Sequence, residues 1–171
     1  MSTHFKYILA FSAVFLFRLL PFRAPNVEPI LATVMPLSKR FGALSGIFFA
    51  VSSIVLYDAV TSGLGVWTLV TGFAYALVAA LSYAYFKKRP ATRRHFALFS
   101  VFAVLLYDAL TGLSVGPLQY GQSLSSALAG QVPFTVLHLL GAVLFALVVS
   151  PALYRWFSAE AIASAPAIAR A

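Results

Sequence analysis

The sequence predicts an all-α integral membrane protein, a six-transmembrane-helix bundle with a parallel internal helix-pair repeat. Three observations predict it: the composition is apolar, the apolar residues fall in six runs, and one motif occurs twice. Of 171 residues, 61% are hydrophobic and 9% are charged, whereas a soluble domain is about half apolar and about a quarter charged. The natural solvent of this chain is therefore lipid.

The apolar runs give the expected spans. A helix needs about 20 residues to cross roughly 30 Å of hydrocarbon, and four runs meet or nearly meet that length. The first run is shorter, and the second, VEPILATVMPL, is bounded by Pro29 and Pro36 and is much shorter. This second run is either a short, tilted span shielded by its neighbours or a re-entrant piece. The runs cover residues 5–20, 27–37, 41–61, 65–87, 95–112 and 132–156.

Basic residues between the runs favour six crossings over five, because Lys and Arg near the ends of spans favour the cytoplasm. With six crossings, Arg18 and Arg23 alone fall opposite the basic loop at 87–94. With five crossings, Lys39 and Arg40 would join them there. We therefore expect both termini in the cytoplasm.

The chain is expected to form one transmembrane domain over residues 1–157. The Ala-rich segment 158–171 is expected to be a flexible cytoplasmic tail. Under the six-crossing topology the third and fifth spans run in the same direction.

The motif Leu-Tyr-Asp-Ala-x-Thr occurs around Asp58 and again around Asp108, at the expected outer ends of the third and fifth spans. The repeated unit is a helix pair, roughly 41–90 and 91–157, in parallel orientation. Parallel repeats are one way of building small-molecule carriers. A membrane interface would explain the two tyrosines, but it explains the matched aspartates poorly.

Polar side chains collect at the outer end of the bundle, which is the expected substrate-binding site. Arg18 is expected inside the membrane boundary, where an ionisable group is a functional candidate. It either pairs with Asp58 or Asp108 and holds helices together, or contacts a ligand carboxylate or phosphate. The aspartates have either a structural role at the helix ends or a role in binding a ligand or a proton. The candidates are Arg18, Arg23, Asn26, Glu28, Asp58, Trp67, Asp108, Gln131 and His138.

Two of these candidates also have plain structural interpretations. His138 is either a satisfied core histidine or a ligand contact. Trp67 is either an interface anchor or a stacking surface for a ring. Small residues spaced by four at Gly42, Gly46 and Ala50 let helices approach closely, either within the bundle or against another membrane subunit.

Several function classes are not expected. The chain has no cysteine, so thiolate metal sites and cysteine nucleophiles are excluded. No metal-spaced histidine pair, catalytic constellation or nucleotide-binding loop is visible, so we expect neither an enzyme nor a cofactor. The net charge of +8 is distributed as membrane topology requires, so nucleic acid is not an expected partner.

Six short spans, a polar outer pocket and the stretch FRLLPFRAPNVEPILATVMPLSKRFG together resemble the substrate-binding S components of energy-coupling factor (ECF) transporters. Two features are similar to motifs in a less-characterised branch of that family. One is Arg-Leu-Leu-Pro followed by Asn-x-x-Pro, and the other is the aspartate that closes the third span, Asp58. In layout the resemblance covers residues 5–157.

The resemblance implies a bacterial or archaeal cell membrane, a vitamin-like or modified-base-like substrate bound near the outer side, and three further subunits. These are a membrane T component and two cytoplasmic ATPases. In that family, alanines four apart on the first span pack on the T component. Ala10 and Ala13 lie on the first span here, without that spacing. The docking candidates are thus Ala10 and Ala13 from the resemblance, and Gly42, Gly46 and Ala50 from their spacing.

The expected function is thus a substrate-binding membrane subunit for uptake of a small organic micronutrient, driven by partner ATPases. Two alternatives stay open. One is a non-transporting scaffold or assembly protein that shares the fold. The other is a stand-alone carrier in which Asp58 and Asp108 relay protons.

Overall fold

The structure is a computed structural model that describes residues 2–24 and 26–163, without the side chains of 160–163. Every regular element in these residues is an α-helix. The helices are α1 (Thr3–Arg18), α2 (Ile30–Phe41), α3 (Ala43–Val60), α4 (Val66–Lys87), α5 (Arg93–Thr111), α6 (Val115–Tyr120) and α7 (Leu124–Ala163).

Several helix boundaries follow from residues at the helix ends. The Ser2 hydroxyl accepts a hydrogen bond from the Phe5 amide at the start of α1, and Thr92 does the same for α5. Such caps satisfy amides that have no partner within the helix. Between α2 and α3, Gly42 has a φ of 94°, which a side chain would make costly. This glycine therefore separates two helices that the apolar pattern alone would join.

Four segments are long and apolar enough to cross a membrane: Ala43–Val60, Val66–Lys87, Arg93–Tyr120 and Leu124–Ala159. Large apolar side chains such as Leu44, Leu69 and Phe73 point outwards and are exposed. An apolar outer surface of this extent is solvated by lipid rather than by water. The chain is therefore an all-α membrane protein.

Helix α2 lies at the centre of the bundle. All residues from Ile30 to Ser38 are buried, and the helix packs against α3, α4 and α7. Pro36, expected at the end of this element, lies inside the helix. A proline there leaves the carbonyl four residues earlier, that of Ala32, without its helical donor. The hydroxyl of Ser150 on α7 donates to this carbonyl at 2.7 Å, so the lost bond is replaced by a side chain.

The contacts show that the long helices alternate in direction along the chain. At one end of the bundle, Lys39 donates to the carbonyl of Phe86 at 2.6 Å, and Lys6 donates to that of Trp156 at 3.0 Å. The basic loop between α4 and α5 lies at this end, which we call the basic end. At the other end, the last residue of α1 contacts Glu28, just before α2, and residues of α3.

Helix α7 differs most from the predicted boundaries. It begins at Leu124 rather than at 132 and runs through both Pro133 and Pro151. The Ser123 hydroxyl accepts a hydrogen bond from the Ser126 amide at 3.2 Å and so caps the new start. The tail expected from residue 158 is helical as far as Ala163, and residues 164–171 lie outside the described part.

The two copies of the repeated motif have matching local bonds. The Thr61 hydroxyl donates to the Tyr57 carbonyl at 2.7 Å, and Thr111 donates to the Tyr107 carbonyl at 2.8 Å. In both copies the aspartate carbonyl accepts the two amides that end the helix. The threonine bonds are therefore alike, but the amides differ: Asp58 accepts from Thr61 and Gly63, and Asp108 from Gly112 and Leu113. The two aspartate side chains also lie in different surroundings.

Candidate functional site

A polar cavity of about 340 Å³ lies at the end of the bundle opposite the basic end. It exists because α2 is short. Glu28, just before α2, bonds to Tyr75, which is nine residues into α4 and so about 14 Å below that helix's start. The missing turns of α2 leave space between α1, α3, α4, α5 and α7. The lining consists of Arg18, Arg23, Asn26, Glu28, Ile54, Asp58, Trp67, Thr71, Tyr107 and Phe134.

Arg18 is fixed on three sides. Its Nε lies 3.0 Å from Oε2 of Glu28, and both side chains are almost fully buried. The N–H is not directed at that oxygen, so the contact is an ion pair without a well-formed hydrogen bond. Nη1 donates to the Ser53 carbonyl at 2.9 Å, and the guanidinium lies 4.1 Å from the centre of the Tyr57 ring. Pairing with Asp58 or Asp108 was one of the two alternatives for Arg18. In the described residues the carboxylate that Arg18 meets is instead that of Glu28, which the loop before α2 brings close.

Glu28 links Arg18 and Tyr75 at the floor of the cavity. Its Oε1 accepts a hydrogen bond from the Tyr75 hydroxyl at 2.6 Å, while Oε2 faces Arg18. The Tyr75 ring lies 4.5 Å from that of Tyr107, centre to centre. Both carboxylate oxygens are therefore occupied, and the role of Glu28 is to hold the arginine and the tyrosine in place.

Arg23 and Asn26 present donors that the bundle leaves unused. The nearest carboxylate oxygen to Arg23, on Glu28, is 3.9 Å from Nη1. Arg23 Nε and Asn26 Nδ2 are both buried without a hydrogen-bond partner in the described part of the chain. A buried donor without a partner is costly, so these two groups favour an added acceptor.

Asp58 offers the same cavity an acceptor, whereas Arg23 and Asn26 offer donors. Its side chain lines the cavity, and the residue is only 8% exposed. Among the described residues, its carboxylate makes no hydrogen bond and no ion pair, although two arginines line the same cavity. A carboxylate at such a site favours a cationic or hydrogen-donating partner.

Asp108, the matching residue of the repeat, is fully engaged within the protein. Its Oδ1 lies 2.9 Å from Nδ1 of His138, and its Oδ2 accepts from the Thr135 hydroxyl at 2.6 Å. Gln131 in turn donates to Thr135 at 3.2 Å. Asp108 and His138 are almost completely buried. This cluster joins α5 to α7 behind Tyr107, whose ring meets His138 edge-on.

Aromatic side chains complete the cavity. Trp67 is half exposed, while Tyr107 is buried and Phe134 comes from α7. The cavity therefore combines separate charged groups with planar apolar surfaces, the usual composition of a site for a small organic molecule.

A larger groove of about 470 Å³ lies between α4, α5 and α6. It is lined mainly by outward-facing apolar residues such as Leu69 and Phe73 and offers no charged group. Acyl chains can fill such a groove, so the smaller polar cavity is the candidate site.

The small residues expected to dock a partner fall into two groups. Ala10, Gly46 and Ala50 are buried within the bundle, and a Cβ on Gly46 would lie 1.9 Å from Oγ of Ser38. These three therefore pack helices of this chain together, which for Gly46 and Ala50 is one of the two interpretations of the small-residue spacing. Ala13 is exposed and Gly42 is partly exposed.

No group of three or more His, Cys, Asp or Glu side chains in the described residues could hold a metal ion. Comparisons with protein-family models, with curated proteins and with solved structures find no match for this chain. The function therefore has to be argued from the cavity itself.

Of the nine candidate binding residues, the cavity brings together six: Arg18, Arg23, Asn26, Glu28, Asp58 and Trp67. Asp108, Gln131 and His138 form the neighbouring cluster instead. Sequence reasoning missed Tyr75, Tyr107 and Phe134. They lie inside apolar runs rich in aromatics, where no sequence signal separates a cavity wall from the core.

Proposed function

We propose that this chain is the substrate-binding membrane subunit of an uptake system for a small organic micronutrient, vitamin-like or modified-base-like. The observation that carries the proposal is the cavity, in which Arg23 and Asn26 keep buried donors without partners. Asp58, a residue only 8% exposed, lines the same cavity with a carboxylate that no described group binds. A bundle needing only internal stability would pair these groups with one another. Their separation around a cavity of about 340 Å³ favours a ligand between them.

The proposed topology has six crossings, with the basic end in the cytoplasm. The alternating direction of the long helices along the chain supports it, as does the burial of α2 among longer helices. Basic side chains near span ends favour the cytoplasm. The cavity then opens outwards, where a substrate for uptake is first met, and both termini are cytoplasmic.

The proposed repeat pairs α3 with α4 and α5 with α7. In each pair the two helices pack extensively on each other, and near the ends of α3 and α5 the motif threonine donates to the carbonyl of the motif tyrosine. Divergence of the two copies would explain why Asp58 faces the cavity while Asp108 binds His138.

Energy for transport is proposed to come from partner subunits, a membrane T component and cytoplasmic ATPases, in a bacterial or archaeal cell membrane. The resemblance to ECF S components supports this. The sequence itself carries no glycine-rich phosphate loop. Ala13 and Gly42 are the docking candidates that stay accessible for a partner.

The second candidate is a stand-alone proton-coupled carrier. The observation that favours it is the buried Asp108–His138 pair beside the cavity, together with the unpaired Asp58 carboxylate. Buried ionisable groups in a membrane bundle are typical of proton relays. Uptake that survives loss of ATPase partners and collapses with the proton gradient would favour this candidate.

The test is mass spectrometry of small molecules extracted from the full-length protein after purification in mild detergent. The wild type is compared with an Arg23→Gln, Asp58→Asn double variant, and with Lys88→Gln as a control in the exposed basic loop. A stoichiometric compound in the wild type and control, absent from the double variant, is expected. A wild type and control that are both empty would contradict the proposal and favour a scaffold protein.

A further inference from the structure

We propose that the ligand of the cavity is a small zwitterion that carries a carboxylate-type anion, a protonated nitrogen and an apolar or aromatic body. In this arrangement Arg23 and Asn26 bind the anion and Asp58 binds the protonated nitrogen. The inference rests on the proposed function, since it names the substrate class of the same cavity.

The first step separates charges that are already satisfied from those that are free. Arg18 is held by Glu28, by the Ser53 carbonyl and by the Tyr57 ring. Glu28 uses its second oxygen for the Tyr75 hydroxyl. This pair forms the floor of the cavity. Nε of Arg18 also makes no hydrogen bond, but at 3.0 Å from Glu28 it is more closely paired than Arg23, which lies 3.9 Å from the same oxygen.

The anion-binding side is formed by Arg23 and Asn26, both in the loop between α1 and α2. Arg23 Nε and Asn26 Nδ2 are buried and make no hydrogen bond within the described chain. Asn26 has a φ of 61°, a left-handed conformation that asparagine tolerates better than most residues. Two donors on one short loop suit a carboxylate, which accepts through two oxygens.

The cation-binding side is Asp58, at the end of α3. With 8% of the residue exposed and no partner within the described chain, its carboxylate is the free acceptor of the cavity. The Thr71 hydroxyl nearby donates to the Trp67 carbonyl at 2.8 Å instead. A protonated amine on the ligand would supply both the charge and the donors that Asp58 lacks.

Charge balance excludes ligands with one charge. The lining holds two arginines, Arg18 and Arg23, and two carboxylates, Glu28 and Asp58, so its formal charge is zero. A mono-anion would leave Asp58 unpaired, and a mono-cation would leave Arg23 with only its 3.9 Å contact to Glu28. In surroundings of low dielectric constant, a poorly compensated charge is costly. A zwitterion pairs both and keeps the whole site neutral.

The body of the ligand is expected to be apolar or aromatic. The remaining walls are Trp67, Tyr107 and Phe134, with Ile54. Planar rings of this kind pack on flat or branched apolar groups. The cavity of about 340 Å³ is at the small end of ligand sites, which are roughly 300–1,000 Å³, so the ligand is compact.

The test is a thermal-shift panel on the full-length protein in mild detergent at pH near neutrality. Each set holds a zwitterion and its two singly charged analogues: phenylalanine with phenylpropionate and phenethylamine, tryptophan with indolepropionate and tryptamine, leucine with isocaproate and isoamylamine. A ligand that binds only the folded state raises the melting temperature according to its affinity. The strongest stabiliser is expected to be a zwitterion, with both of its analogues giving less than half of its shift.

Two variants identify which side binds which charge. In Asp58→Asn, the zwitterion is expected to bind about 10- to 100-fold more weakly and no better than its deaminated acid. In Arg23→Gln, it is expected to bind no better than its decarboxylated amine. Lys88→Gln, in the exposed basic loop, is the control and should keep the wild-type order.

The proposal is overturned if the strongest stabiliser is singly charged, or if no member of the panel stabilises the protein. Small-molecule extraction distinguishes failure of the zwitterion proposal from failure of the proposed function. A singly charged compound that co-purifies and depends on Asp58 or Arg23 would overturn the zwitterion and leave the proposed function standing. An empty protein that no panel member stabilises would overturn both.

Discussion

Nε of Arg18 lies 3.0 Å from Oε2 of Glu28, at the point where α1 ends and the chain turns towards α2. This ion pair is nearly excluded from solvent and connects α1 to the start of the central helix. Because Glu28 also accepts from Tyr75, the pair links three helices and defines the floor of the cavity. We therefore expect it to stabilise the bundle rather than to bind substrate directly.

The first prediction concerns this pair. Glu28→Gln should lower the free energy of unfolding by roughly 3–5 kcal/mol, because it leaves the Arg18 charge buried without compensation. Arg18→Gln should cost a similar amount, and the double variant should cost clearly less than the two together. Reversible unfolding in detergent measures these changes, and strict additivity would show that the two side chains do not interact.

The second prediction contrasts the two aspartates of the repeated motif. Asp108→Asn should destabilise the protein, because Asp108 is bonded to both His138 and Thr135. Asp58→Asn should leave stability unchanged or raise it, because it removes a buried charge with no partner in the described structure. Melting temperatures of both variants, measured without ligand, test this. Equal destabilisation by the two substitutions would contradict the different roles assigned to them.

The third prediction concerns the proline in the central helix. Ser150→Ala should destabilise the protein by about 1–3 kcal/mol, because the Ala32 carbonyl then has no donor in a buried position. In a Pro36→Ala background the helical amide returns, so the same Ser150 substitution should cost much less. The four proteins of this cycle are compared by thermal unfolding. An equal cost in both backgrounds would show that Ser150 does not replace the bond lost at Pro36.

The fourth prediction concerns topology. The chain has no cysteine, so single cysteines can be introduced without background labelling. Ser62→Cys and Gln122→Cys, at the cavity end, should react with a membrane-impermeant maleimide in intact cells. Lys88→Cys, at the basic end, should react only after permeabilisation. Labelling of positions 62 and 122 from opposite sides would contradict the six-crossing arrangement.

Much of the fold could be predicted from apolar runs. The predicted segments 41–61, 65–87 and 95–112 lie within two residues of the observed α3, α4 and α5. These helices are bounded by glycines, basic residues or a capping threonine, so composition changes sharply at their ends. The start of α7 could not be predicted in the same way. Pro133 looks like a first residue, whereas the helix begins nine residues before it, at Leu124.

The candidate site could be predicted in part. Charged residues in an apolar chain are few, so Arg18, Arg23, Glu28 and Asp58 were visible as a group. Their pairing was not, because it depends on how deeply the short α2 sits among longer helices. The different environments of Asp58 and Asp108 also depend on tertiary packing, since the local sequence around them is nearly the same.

The proposed function requires that the cavity between Arg23, Asn26 and Asp58 holds a ligand. The most direct measurement is an experimental density map of the full-length protein, purified without added ligand, that resolves these side chains. We expect density for one compact molecule that contacts Arg23 and Asn26 on one side and Asp58 on the other. A closed cavity in which Asp58 binds Arg23 or Arg18 directly would contradict it.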